Sequence, residues 1–296
     1  MKRSACQNSR TKPVRIIKFI GCLTLSCLMS YGCQKKEVKN PPRCIYDHVV
    51  FAEASLNAVK DDTQFAQFKK NPFFNLLWEN LSREEGEMWL QVIEDRYPFL
   101  IEKFDLFRAS DRVGSPRVFS FGPAGEFSPS TLRLAAVAAD LQSKIGSWAG
   151  MQVVQIGAGY GGLCKIMSDI SAFASYTLVD LPEQLALAKK YLEGFGLKNV
   201  VYLSPGQLPK KASYDLVVSD MNFSEFNRSY QELLFDRVLL HSHSGYLLGH
   251  VFPKHYGITP LSLDEIRERF EKKGKFSKWE MQDPTIEKEN YLICFK

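Results

Sequence analysis

The sequence predicts an α/β protein built on a parallel sheet, and three observations carry that prediction. From residue 152 onward, short apolar runs alternate with segments of helical periodicity. The first run, Val153 to Ile156, ends in Gly-Ala-Gly-Tyr-Gly-Gly, and the next, Tyr176 to Val179, ends in Asp180. Strands that alternate with helices imply right-handed crossovers, so the strands run parallel and present ligands at their carboxyl ends.

The elements follow in order. Residues 1–33 hold six cations, Lys2, Arg3, Arg10, Lys12, Arg15 and Lys18, and no acid; the whole chain carries +5, which leaves −1 for the rest. The basic excess is therefore confined to the leader, and no nucleic-acid partner is expected. A basic start, an apolar stretch from Phe19 to Met29 and then Gly32-Cys33 have the layout of a secretory signal with a lipoprotein-like acylation site. If translation starts at Met1, the expectation is a membrane-anchored lipoprotein; if it starts at Met29, a cytoplasmic protein. Mass spectrometry of the mature N-terminus separates the two. Residues 34–43 are polar, end in Pro41-Pro42 and read as a flexible tether.

Residues 44–125 are expected to be a helical N-terminal region. Apolar residues recur at helical spacing from Tyr46 to about Phe107, and Ser82-Arg83-Glu84-Glu85 is a capping box. A connection rich in glycine and proline, 113–123, leads to a second body, 126–296. There Ser128 caps a helix with Pro129 at its first position, running to about Lys144. The expected alternation is strand 152–156, helix 163–173, strand 176–180, helix 182–193, strand 199–203, strand 214–219, helix 228–240 and strand 245–250. A helix near 263–272 precedes two strands, 276–281 and 290–295, which a short turn around Asp283-Pro284 makes antiparallel.

With 45% hydrophobic and 24% charged residues in 296, the chain can bury a large core and is neither disordered nor fibrous. Four of seven cysteines lie in the leader; Cys44, Cys164 and Cys294 are too scattered for a disulfide framework, and no Cys or His spacing supports a metal site. His241 and His243 look like a metal pair only superficially.

The glycine loop points to a cofactor bearing a nucleoside. Glycines after a strand let the backbone approach a ligand, the following helix offers free N–H groups, and an acid about 20 residues on can accept from ribose hydroxyls. The spacing leaves two patterns open: Gly157, Gly159 and Gly162 satisfy G-x-G-x-x-G, and Gly157, Gly159 and Gly161 satisfy G-x-G-x-G. The terminal hairpin favours a methyltransferase over a dehydrogenase. A turn built only for close packing is the plain alternative.

Several blocks agree with one group. Phe127-Ser128-Pro129-Ser130-Thr131-Leu132-Arg133, Gln155-Ile156-Gly157-Ala158-Gly159-Tyr160-Gly161-Gly162, Val179-Asp180-Leu181-Pro182-Glu183 and Ser219-Asp220-Met221-Asn222-Phe223-Ser224-Glu225 stand in that order. From about residue 46 onward the chain resembles bacterial sugar O-methyltransferases, S-adenosylmethionine enzymes of class I fold. The resemblance implies a Rossmann-like sheet with a terminal antiparallel hairpin, a sugar or glycan hydroxyl as methyl acceptor, and S-adenosylmethionine as donor. On that basis Gly157, Gly159 and Gly161 are expected against the aminoacyl portion, Ala158 among the cofactor-binding residues with them, Asp180 on the ribose, Leu181 and Leu203 beside the adenine, and Tyr160 over the sulfonium. Gln155 stands where an acid is frequent.

Transfer to a hydroxyl needs alignment and one base. Glu225 and Asp220 follow the fourth strand at its ligand-binding end, and His250 and His255 compete for the role. Against these stand a turn acid for Asp220, a helix N-terminal acid for Glu225 and loop histidines without function. Asp220 and His250 both occupy positions where the family has asparagine. Arg133 either binds substrate or ties its helix to an acid. The competing functions are a nicotinamide-dependent oxidoreductase and a catalytically inactive methyltransferase-like binding protein of the cell envelope.

Overall fold

The computed structural model describes residues 44–250 apart from 46 and 48, together with 258–274, 277–281 and 290–296. The leader, the tether, His255 and the turn at Asp283-Pro284 lie outside the described residues. No helix among the described residues is long and apolar enough to cross a membrane.

Three longer helices open the fold: α1 (Val49–Lys60), α2 (Pro72–Trp78) and α3 (Arg83–Arg96). Their starts are written locally. Asn71 Oδ1 accepts from the Phe73 amide at 3.0 Å ahead of Pro72, and Ser82 and Glu85 form the reciprocal box, Glu85 N to Ser82 Oγ at 3.2 Å and Ser82 N to Glu85 Oε2 at 2.6 Å. Single turns and 3₁₀ segments fill the spaces between them as far as Arg112. α4 (Pro129–Ile145) begins on the Ser128 cap, whose Oγ accepts from Thr131 N at 3.1 Å, and stops at Gly146, where φ is +103°.

The sheet then builds as β1 (Gln152–Ile156), α5 (Gly162–Ile170), β2 (Ser175–Val179), α6 (Pro182–Glu193), β3 (Val200–Leu203), β4 (Tyr214–Asp220), α7 (Arg228–Arg237), β5 (Ser242–His250), α8 (Leu263–Lys272), β6 (Ser277–Met281) and β7 (Asn290–Phe295). Its order is β3-β2-β1-β4-β5-β7-β6; the first five strands are mutually parallel, and β7 lies antiparallel between β5 and β6. The expected terminal hairpin is present. Three boundaries differ from the expectation by three residues: α5 ends at Ile170, α7 ends at Arg237, and β5 starts at Ser242, which puts His243 in the strand, 3.7 Å from Asp215.

Burial explains the unbroken apolar runs. Val153 joins a core with α3, α4 and α5, whereas Val154 and Ile156 join a second core under α7 and α8, so both faces of β1 are covered. The helical N-terminal region contributes to both cores: Ala58, Phe68, Phe74 and Trp89 share the first with Val153 and Leu178, and Cys44 and Phe51 join the second. Lys190 of α6 donates to the Ala58 and Val59 carbonyls at 3.3 and 2.9 Å, which ties α1 onto the sheet's helices. The described residues fall within one compact unit.

Candidate active site

The carboxyl ends of β1, β2, β4 and β5 bring the candidate residues together. β1 runs into Gly157, Gly159 and Gly161, whose φ values are +85°, +50° and +92°; Gly162 is not left-handed and opens α5. The three positive φ values follow G-x-G-x-G, while Gly162 is required for space, since a Cβ there would lie 2.8 Å from the Tyr160 ring. Gln155 supports the loop from below, donating to the Gly157 carbonyl at 2.5 Å and accepting from Tyr176 Oη at 2.7 Å.

Asp180, directly after β2, is fully buried. Its Oδ2 accepts from Ala158 N at 2.7 Å and Gly159 N at 3.3 Å, and its Oδ1 accepts from Leu181 N at 2.7 Å. Burial pushes its pKa up to about 6, although those three amides pull it down. A carboxylate offers about four acceptor positions, so one remains beyond the three in use. Leu181 and Leu203 pack in one apolar cluster with Ile156 and Val179, beside the ends of β1 and β2.

Tyr160 departs from the expected position over the sulfonium. Its ring is buried among Phe68, Trp78 and Tyr191 at centroid distances of 5.6, 5.4 and 5.1 Å, facing the helical region. Aromatic spacing in α2 and the segment before it provides this socket, and a large apolar ring gains more there than over an open loop. Trp78 lies on the loop itself: a Cβ at Gly159 would sit 3.5 Å from its Nε1.

Beneath Tyr160 lies a buried charged cluster that the sequence did not reveal. Lys69 Nζ is 3.8 Å from Glu79 Oε1, donates to the Ser110 carbonyl at 3.0 Å and sits 4.6 Å from the Tyr160 ring centroid. Burial pushes the Glu79 carboxyl up to about 7, against the opposing pull of Lys69. A raised folded pKa means the native state binds the proton more tightly than the unfolded chain. The stability linked to Glu79 is thus complete below pH about 4.5 and lost as pH rises through about 7. Across that window the loss is on the order of 3 kcal/mol. Urea melts should show stability falling from pH 5 to 8 and flattening in Glu79→Gln; an unchanged slope in the variant refutes the assignment.

At the end of β4 the backbone is strained. Met221, a non-glycine, has φ +68°, which costs of order 1 kcal/mol or more and marks candidate functional sites. The bend directs the helical turn Asn222–Glu225 over the loop. Asn222 abuts Gly157, where a Cβ would lie 2.1 Å from its own Cβ, and its Nδ2 donates to Glu225 Oε2 at 3.1 Å. Glu225 closes this four-residue turn and is also the acid of its first turn, as the plain alternative expects. His250, closing β5, places Nε2 3.7 Å from Glu225 Oε1.

Asp220 is not placed as a base. Arg133 donates from both terminal nitrogens to its two oxygens, at 2.8 and 2.7 Å. Arg133 therefore ties α4 to an acid, and that acid is the candidate base. Cys164 is fully buried in the first turn of α5, where burial raises its thiol well above the usual range. Among the described residues no cluster of His, Cys, Asp and Glu could hold a metal ion.

No family model matches the chain. It is 30% identical over 145 residues to the protein-L-isoaspartate O-methyltransferase of Pyrococcus abyssi, which covers 47% of this chain and 64% of that one. The enzyme of the same name from Pyrococcus horikoshii is 30% identical over 117 residues, covering 38% of this chain and 50% of that one. The chain thus spans between half and just under two thirds of these relatives' length. Among solved structures it is similar to magnesium protoporphyrin IX methyltransferase from Synechocystis PCC 6803 with bound SAH, at 16% identity and TM-score 0.45 over 67% of this chain and 97% of that one. The methyltransferase domain of a bacterial Hen1 matches at 16% identity and TM-score 0.43, over 55% and 96%. With the sheet order β3-β2-β1-β4-β5-β7-β6 and the left-handed G-x-G-x-G loop, the chain has the Rossmann-like fold of class I methyltransferases.

Proposed function

We propose that this protein is an S-adenosylmethionine-dependent O-methyltransferase acting on a hydroxyl, of a sugar or glycan by the family resemblance. The observation that carries the reading is the Glu225–His250 pair beside the glycine loop. The donor's sulfonium supplies the electrophilic methyl group. The residues fit such a donor. Asp180, the acid assigned to the ribose, is fully buried here and holds the loop through three amides, Gly157, Ala158, Gly159 and Gly161 form that loop, and Leu181 and Leu203 provide the apolar flank. Tyr160 is not included, because its ring is used in the helical region.

The acceptor's chemistry separates a hydroxyl from the isoaspartyl carboxylate named for the Pyrococcus relatives. A carboxylate acceptor is already an anionic nucleophile; it needs no base and would be repelled by Glu225. A hydroxyl must lose its proton, and a carboxylate paired with an imidazole can receive it. Arg133 is matched by Asp220, which removes the simplest attraction for an anionic acceptor.

The reading is tested by ligand-linked stability. S-adenosylhomocysteine at a hundred times its Kd should stabilise the protein by about 2.7 kcal/mol, and Asp180→Ala should largely remove that shift. Absence of both a melting shift and calorimetric heat at saturating ligand refutes it. Turnover assays with nucleotide sugars and with an L-isoaspartyl peptide then identify the acceptor; methylation of the peptide alone would replace the hydroxyl reading.

A further inference from the structure

The antiparallel strand β7 brings a residue to the site that no motif identified. Register pairs His250 with Asn290 across β5 and β7, and Asn290 Oδ1 lies 2.8 Å from His250 Nδ1. Asn290 is 3% exposed, so its amide is held by its surroundings. The backbone of His250 is held as well, its N–H donating to Ser224 Oγ at 3.1 Å within the helical turn that carries Glu225. The Asn290 contact therefore orients the imidazole, and the Ser224 bond fixes the backbone from which it projects. An amide oxygen only accepts, so Nδ1 must carry the proton and donate it. Neutral His250 then carries its basic lone pair on Nε2, the nitrogen 3.7 Å from Glu225 Oε1.

We infer that Asn290 is a positioning residue that fixes the tautomer of His250, making Nε2 the atom that receives the acceptor's proton, with Glu225 steadying the charge that results. In that step the acceptor's O–H bond breaks and an Nε2–H bond forms, and the freed oxygen pair becomes the nucleophile. The imidazolium so formed still donates through Nδ1 to Asn290, and the Glu225 carboxylate, 3.7 Å from Nε2, offsets its charge. His250's side chain is 34% exposed, against 13% for Glu225, so the proton has a route to solvent from the imidazole. The inference rests on the methyltransferase reading, which places an acceptor hydroxyl at this pair.

Nitrogen-15 NMR of the ligand-free full chain, labelled at histidine, reads the tautomer directly and does not depend on turnover. Neutral wild-type His250 should show Nδ1 protonated and Nε2 bare. Asn290→Ala should lose that preference and lower kcat at least about tenfold, with S-adenosylhomocysteine affinity unchanged. Asn290→Asp, which keeps an acceptor oxygen, should restore the tautomer. A wild-type spectrum with Nε2 protonated overturns the inference, and so does an unchanged tautomer in Asn290→Ala. If Asn290→Ala fails to fold, the wild-type and Asn290→Asp spectra still decide. Failure to bind S-adenosylhomocysteine would fall on the methyltransferase reading and leave the tautomer measurement intact.

Discussion

Gly157→Ala should abolish cofactor binding and destabilise the protein by about 2 to 5 kcal/mol. Two independent costs coincide there. The backbone has φ +85°, which an L side chain tolerates at roughly 1–2 kcal/mol. The added methyl would also lie 2.1 Å from Cβ and Cγ of Asn222 and 2.4 Å from its Oδ1, inside contact distance for any atom. Relief requires Asn222 to move, and overpacking of this kind costs about 1–3 kcal/mol. The movement is functional as well, because Asn222 holds Glu225 through its Nδ2. Calorimetric titration with S-adenosylhomocysteine and urea unfolding measure both effects. An affinity within twofold of wild type would show that the loop does not cradle the cofactor.

Arg133→Met should cost about 3 kcal/mol of stability, the second largest effect. Arg133 and Asp220 side chains are only 16% and 11% exposed and meet through two short bonds. Deleting one partner strands the other charge in a poorly solvated place, which is far more costly than removing both. The double variant Arg133→Met/Asp220→Asn should therefore recover part of the loss, and the unfolding free energies of the four proteins give the coupling. A single-variant loss below about 1 kcal/mol would mean the pair is solvated.

Much of this molecule follows from local sequence. The capping box at Ser82 and the Ser128-Pro129 start are visible within four residues and occur as read. The apolar runs of β1 and β2 are each matched to within a residue, because strands covered on both faces need unbroken apolar side chains. Even the antiparallel ending could be read, since a short connection between two strands allows nothing else. Departures cluster where direction, not identity, matters. Tyr160 was expected to face a ligand and faces Phe68 and Tyr191, a choice made by aromatic residues distant in the chain.

By itself, the sequence determined the element order, the caps, the glycine loop with its following acid, and hence the class of fold. Periodicity and turn chemistry act over a few residues and leave a local trace. Only the tertiary structure decided which glycines are left-handed, that Asp220 answers Arg133, that Glu225 meets His250, and that Asn290 holds the imidazole from 40 residues away. Those outcomes depend on strand register and on the strained bend at Met221, which aim side chains from separate segments into one place. Such aim comes from long-range packing, and no short stretch of residues records it.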